Sequence, residues 1–449
     1  MHVLTRPSPP SPSPPARAPR QAWLDALRGI AALIVVFEHS LDALLPEVRN
    51  AVSPWFNFGQ YGVLVFFLVS GYVIPVSLER RGDVRGFWIN RFFRLYPLWG
   101  VVAVLGVVFA LAEVYSRLPP DAQAEPLSTT LAHVTMLQDL LQVNSVVNVF
   151  WTLSYEMVFY LLVTAMFVFG VHRASTGTSV TLAGCAVAAG ALVPAGLLSR
   201  TLGTPVVAVA AVALVAGLAA VVSGDETLRR RGAVVIAALG LVLVVLNSRI
   251  GAWQSLAILA TMFAGTALYR MERSGTRGAA RWVIALVPLL SVAAAVWHGP
   301  GWGMTEAARQ EFVWGWSTAV VAAWLTFAAG LALRHRAVAP ALAWLGLVSY
   351  SVYLLHPLVV QVIRRLTSDA TGLSLPMRLG WEALLFAAVI GAAALGHRYV
   401  EIPGQRVGRR LARASGGTRR TDGTSGGNAK NGHFPVNTAT RDSRDRAPR

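Results

Sequence analysis

LDALRGIAALIVVFEH, residues 24–39, sets one arginine and one histidine into a largely apolar run. Eleven residues turn an α-helix through about 1100°, so Arg28 and His39 lie within about 20° of one face and about 16 Å apart along the axis. With Arg28 at a membrane surface, that rise carries His39 to about the middle of a roughly 30 Å hydrocarbon core. An ionisable side chain at that depth is costly and faces a cavity or a partner, so the stretch reads as a membrane helix that carries a site. A histidine in such a helix also serves simply to hydrogen-bond neighbouring helices together. The rest of the chain decides between the two.

Apolar runs recur along nearly all of the 449 residues; 55% are hydrophobic and only 14% charged, and mean hydropathy is +0.53. That is the composition of a polytopic membrane protein, and the fold class expected is an all-α transmembrane bundle of about 10–12 spanning helices. A formal net charge of +17 would suggest nucleic acid in a soluble chain. Here the arginines sit between apolar runs and in the tails, where orientation signals and phosphate contacts sit, so no nucleic-acid partner is expected. Lys430 is the one lysine, and the wealth of Ala, Val, Gly and Arg suits a GC-rich bacterial genome. The single cysteine, Cys185, lies in an apolar run, which argues against a thiol nucleophile.

Residues 1–22 are rich in Pro, Ser and Arg and are expected to be a disordered cytoplasmic tail. Residues 23–410 form the membrane domain, and residues 411–449 a second, basic, disordered tail. The first spanning runs are Gly29–Leu45 and Gly59–Leu78; ten more begin near Tyr96, Val149, Thr178, Pro205, Ala233, Ala252, Trp282, Val313, Ala341 and Leu379. With the N-terminus inside, fifteen loop arginines fall on the cytoplasmic side and eight on the other, which favours a cell-membrane protein with both termini in the cytoplasm. The long loop 116–148 holds a possible surface helix, STTLAHVTMLQDLLQ, and is either a lid over the site or a plain connection.

Three further clusters join Arg28 and His39. Residues 59–72, GQYGVLVFFLVSGY, carry small residues that allow close helix approach, and packing is the preferred reading of the glycines. Arg91 and Arg94 in RFFRLYP stand three residues apart on one helical face, a pair suited to bidentate contacts with a phosphate-bearing ligand, although positive-inside anchoring accounts for them equally well. In WTLSYE, Glu156 lies about 10 Å into its span by helical rise. A buried carboxylate needs a partner or a proton, and His39 is the candidate partner. His356, in SYSVYLLHP, reads as a packing or hydrogen-bonding residue at a helix end.

Together and in this order, these clusters resemble the acyltransferase-3 family of integral-membrane O-acyltransferases, over about Trp23 to Arg410. LDALRGIAALIVVFEHS is similar to that family's opening Arg-x10-His motif, GQYGVLVFFLVSGY to its Gly-rich second segment, and RFFRLYP to its Arg-x-x-Arg turn. WTLSYE, SYSVYLLH and the closing YVEIP match in kind and position. Many members carry an acidic residue where this chain has Leu64, and residues 178–300 carry no signature of the family.

The resemblance implies transfer of an acyl group, usually acetyl from cytoplasmic acetyl-CoA, to a hydroxyl of a sugar-containing acceptor such as a surface polysaccharide, glycolipid or glycosylated metabolite. A hydroxyl is a poor nucleophile at neutral pH, and a neutral imidazole within hydrogen-bond reach is the common general base. On that basis His39 removes the acceptor proton, Glu156 orients the imidazole or binds the acceptor, and Arg28, Arg91 and Arg94 hold the CoA phosphates. A proton-coupled transporter or flippase, with His39 and Glu156 as the relay, is the competing expectation. No metal is expected, because histidines and carboxylates do not recur at ligand spacings.

Overall fold

The computed structural model describes residues 21–421 apart from 115–117, 190–191, 275–276, 300–304 and 369. All regular structure among these residues is helical. The twelve apolar runs correspond to twelve long helices: α1 (Ala22–Leu44), α2 (Phe58–Arg81), α3 (Val84–Leu111), α4 (Trp151–Val168), α5 (Ser175–Ala189), α6 (Pro205–Val221), α7 (Glu226–Leu246), α8 (Ala252–Ser274), α9 (Arg277–His298), α10 (Glu306–Ala332), α11 (Pro340–Thr367) and α12 (Leu375–Gly396). A further helix, α13 (Ile402–Thr421), follows a single π-type turn at His397–Glu401. Six of the described helical segments, those of α2, α3, α4, α10, α11 and the joined α12 and α13, are long and apolar enough to cross a membrane. The chain is a multi-pass membrane protein.

α1 is the helix around which the site is built, and its neighbours approach it where side chains are missing. A Cβ on Gly346 of α11 would lie 1.9 Å from the Asp25 carbonyl oxygen, and one on Gly62 of α2 would lie 2.7 Å from Val35. Close packing of this kind, without intervening side chains, is how helices gain contact energy in an apolar solvent. The Gly71 and Gly265 pair does the same between α2 and α8: a Cβ on Gly71 would meet the Met262 carbonyl oxygen at 1.8 Å, and Thr266 donates to the Gly71 carbonyl at 2.8 Å. The α2–α3 hairpin is closed by Gly82 at φ +64° and by Asp83, whose carboxylate accepts from the Gly86 amide at 3.0 Å and caps α3. That tight turn sets the arginine pair of α3 beside the end of α2.

The structure moves three of the expected boundaries. α1 starts at Ala22, not Gly29, because Trp23, Leu24 and Leu27 are themselves buried. Arg28 and His39 therefore stand at comparable distances from opposite ends of the helix, and His39 lies toward the far end rather than at mid-span. The expected surface helix STTLAHVTMLQDLLQ is α-helical only over Pro126–Val134 and makes a separate 3-10 turn at Asp139–Leu141; Met136 adopts φ +55°, and Leu137, Leu140 and Leu141 are buried. Residues 411–421, expected in an unstructured tail, continue α13, which seats Gly404 and Gly408 on Pro97 and Phe93 of α3. Residues 1–20 and 422–449 lie outside the described residues.

Candidate functional site

Four of the five residues singled out from the sequence share one cavity. Arg28 of α1, Arg91 and Arg94 of α3 and Glu156 of α4 line a space of about 80 Å³ together with Ser70, Thr152, Tyr350 and Tyr353. Glu156 accepts a hydrogen bond from Tyr160, one turn along α4. Arg91 stacks on two rings, its guanidinium 5.4 Å from the centroid of Phe87 and 5.5 Å from that of Tyr160, and donates to Ser77 Oγ at 3.4 Å. The rings hold the guanidinium in place by cation–π attraction while leaving hydrogen-bonding capacity unused, and its Nε is buried without a partner. Three guanidinium groups face a single carboxylate here, a local surplus of positive charge that favours an anionic ligand.

His39 opens on a different cavity. About 180 Å³ in size, it is lined by His39, Asp42, Asn148, Gln361 and Arg364 among others. His39 stacks on His356, with ring centroids 5.2 Å apart and planes 28° apart. His356 is fully buried, its Nδ1 lies 3.2 Å from the Val352 carbonyl oxygen, and its Nε2 has no partner. The sequence reading of His356 as a packing residue at a helix end thus omits its contact with His39. Polar groups crowd the adjoining end of α1: Arg49 pairs with Glu38 at 2.8 Å and Asp42 at 3.0 Å, and Ser40 donates to Glu382 at 2.5 Å. Asn148 and Val149, at the end of the long loop, wall the His39 cavity.

Between the two cavities stands a partition. Tyr353 and Thr152 both line the arginine cavity, and their hydroxyls lie 3.0 Å apart. Both also reach the carbonyl of Val149, which lines the His39 cavity: Thr152 at 3.1 Å and Tyr353 at 3.2 Å. The Tyr353 ring is 5.8 Å from Phe66 and 5.9 Å from His356. Glu156 and His39, expected to be partners, form no hydrogen bond or ion pair among the described residues, because Tyr160 already occupies the carboxylate and the Tyr353 partition stands where an approach from α4 was expected.

Two buried residues outside both cavity linings, Tyr160 and Glu401, were passed over in the sequence. Tyr160 lies four residues after Glu156, one helical turn away, and that spacing was the available signal. Glu401, in the closing YVEIP, is buried at 2% exposure, accepts from Ser351, and has His397 Nδ1 at 3.3 Å. The π-type turn at His397–Glu401 turns this carboxylate inward, and nothing in residue spacing announces it.

Comparison with known proteins agrees with the motifs. The acyltransferase-3 family model, described as an acyltransferase domain, matches residues 21–397. The acyltransferase MdmB of Streptomyces mycarofaciens is 32% identical over 156 residues, covering 33% of this chain and 39% of that protein. The peptidoglycan O-acetyltransferase OatA of Listeria monocytogenes is 28% identical over 152 residues, 31% of this chain and 23% of that protein. The matched segment spans well under half of either relative. No solved structure matches the chain.

Proposed function

The chain belongs to the acyltransferase-3 family of membrane O-acyltransferases, and from that premise we propose that it moves an acyl group, acetyl as in the relative named for peptidoglycan O-acetylation, from acyl-CoA to a hydroxyl of a sugar-containing acceptor. The observation that carries this reading is the pair of cavities meeting at Tyr353, one rich in arginine and one holding His39. CoA is a large cytoplasmic polyanion, and the arginine bias of the loops favours a cytoplasmic position for the Arg28 end of α1. The donor thus enters from the N-terminal face of the bundle, its thioester reaching inward toward the partition.

On the far side, His39 meets the acceptor. Its imidazole takes the hydroxyl proton as the oxygen attacks the thioester carbonyl; the carbon–sulfur bond breaks, and the imidazolium returns the proton to the CoA thiolate. Ester and free thiol result, with no proton gained or lost. Asp42, Asn148 and Gln361 offer the mixed donors and acceptors that a polyhydroxylated acceptor requires. Glu156, held by Tyr160 among the arginines, serves the donor side: it is an acceptor for amide N–H groups of the pantetheine arm and fixes the arginines by charge.

Labelled acetyl-CoA, cell-envelope extract as mixed acceptor, and purified protein with and without His39→Ala test the proposal. Label is expected in an acceptor product with wild type alone. Retained transfer by the variant would remove His39 from the chemistry. Absence of both transfer and CoA binding in wild type would favour a transporter.

A further inference from the structure

Beyond the arginine cavity the structure opens into an outer vestibule of about 260 Å³, and it shares Arg91 and Arg94 with the inner space. Its other walls come from Arg81 at the end of α2, Asn90 of α3, and Gln405 and Arg409 of α13. Four guanidinium groups and no carboxylate line it. None of the four forms an ion pair among the described residues. Converging like charges repel one another, so such an arrangement is favoured only with a multiply charged anion in place.

The position of Arg409 is built, not incidental. The π-type turn adds a residue between α12 and α13, which lets Glu401 turn into the bundle while Gly404 and Gly408 seat on α3. A Cβ on Gly408 would lie 2.6 Å from Phe93 Cβ, and one on Gly404 2.8 Å from Pro97 Cγ, so α13 meets α3 along a stripe with no side chains. Gln405 and Arg409 occupy the next stripe, one turn apart, and face the vestibule.

We propose that this vestibule is a phosphate-recognition site for the nucleotide end of the acyl donor, in which Arg81 and Arg409 bind its ribose 3′-phosphate while Arg91 and Arg94 bind the diphosphate at the neck of the inner cavity. The inference rests on the acyl-CoA reading above and adds two arginines and the helix α13 to it. The neutral pantetheine arm then runs between Arg91 and Arg94 toward the partition. An anionic lipid headgroup offers the same phosphate chemistry, and the test separates the two sources.

The full chain in nanodiscs of neutral phosphatidylcholine is titrated with CoA and with 3′-dephospho-CoA, as wild type, Arg81→Gln and Arg409→Gln. Both arginines are exposed, so neither substitution disturbs the core. Wild type is expected to bind CoA about tenfold more tightly than the dephospho form, the worth of one charge-assisted contact. Each variant loses most of that preference by weakening CoA binding alone. Equal binding of the two ligands by wild type, or equal weakening of both by the variants, overturns the proposal and leaves the donor reading standing. If wild type binds neither ligand, the donor reading falls with it. In discs containing phosphatidylglycerol a donor site keeps its 3′-phosphate preference; loss of that preference assigns the arginines to lipid and overturns the proposal.

Discussion

The inner cavity beside Glu156 is walled by three guanidinium groups and one carboxylate, whereas the His39 cavity carries one guanidinium, one carboxylate and two carboxamides. The first has a surplus of two positive charges and suits a polyanion. The second is nearly balanced and suits a ligand recognised through hydroxyls. Both draw on α1 and α11, the first adding α4 and the second the end of the loop before α4, so the difference is one of helix end rather than of domain. A transfer enzyme needs this asymmetry, because two substrates of unlike charge must meet at one point without competing for one pocket.

The largest expected effect tests whether the chemistry belongs to the His39 side alone. His39→Ala should lower acyl transfer by about 10²- to 10⁴-fold, the usual worth of a general base, while CoA binding by titration stays unchanged. If CoA affinity fell with the rate, the two cavities would be one site and the division would fail. Glu156→Gln makes the converse test. Its effect should fall on the donor, as a rise of about tenfold in KM for acetyl-CoA with most of kcat retained. A collapse of kcat equal to that of His39→Ala would place Glu156 on the proton path, as the sequence alone suggests.

Tyr353→Phe is expected to act on the partition itself. The hydroxyl that joins Thr152 and the Val149 carbonyl is lost, and a hydrogen bond of about 1 kcal/mol net corresponds to roughly a fivefold shift toward an open partition. Water then reaches the thioester from the acceptor side. Free thiol should appear from acetyl-CoA without acceptor, several-fold above wild type, as acceptor-dependent transfer declines. Unchanged thiol release in the absence of acceptor would mean that Tyr353 is a packing residue and the cavities are separated by something else.

The helices were legible because each has to present about twenty apolar residues, and that demand is written one residue at a time. The residues that line the arginine cavity were legible for the same reason: an arginine or a carboxylate inside such a run is conspicuous. Their pairing was not. Arg28 and His39 share a helical face, yet Phe66, Thr152 and Tyr353, ordinary residues of a buried helix, intervene between the arginine cavity and His39. Glu156 was matched to the wrong partner because its true neighbour, Tyr160, is an uncharged residue on the same helix. Glu401 needed the π-type turn, and Arg409 needed the glycine stripe of α13, to face where they do. Rotation about a helix axis by one residue is about 100°, and no composition or charge count records it.

The long loop supplies the smallest effect on transfer and a distinct signature. Asp139 is buried at 5% exposure, receives a hydrogen bond from Tyr155 at 3.2 Å and has Arg249 at 3.6 Å. Burial pushes its carboxyl up to about 6 despite Arg249. Between the ordinary carboxylate range and pH 6 the folded chain therefore holds this proton more tightly than the unfolded one. The resulting stabilisation is complete at about pH 4 and is lost as pH rises through 6, by at most about 3 kcal/mol for a shift of about two units. Asp139→Asn has no such titration. In thermal unfolding, the variant's stability relative to wild type should improve as pH goes from 4.5 to 7, with transfer per folded molecule nearly unchanged, since the loop touches the His39 cavity only through Asn148 and Val149. A difference between the two proteins that stays constant across that range would show that Asp139 carries the same charge throughout. A large loss of transfer would instead make the loop part of the acceptor site and remove the distinction between a cavity that reacts and a wall that encloses it.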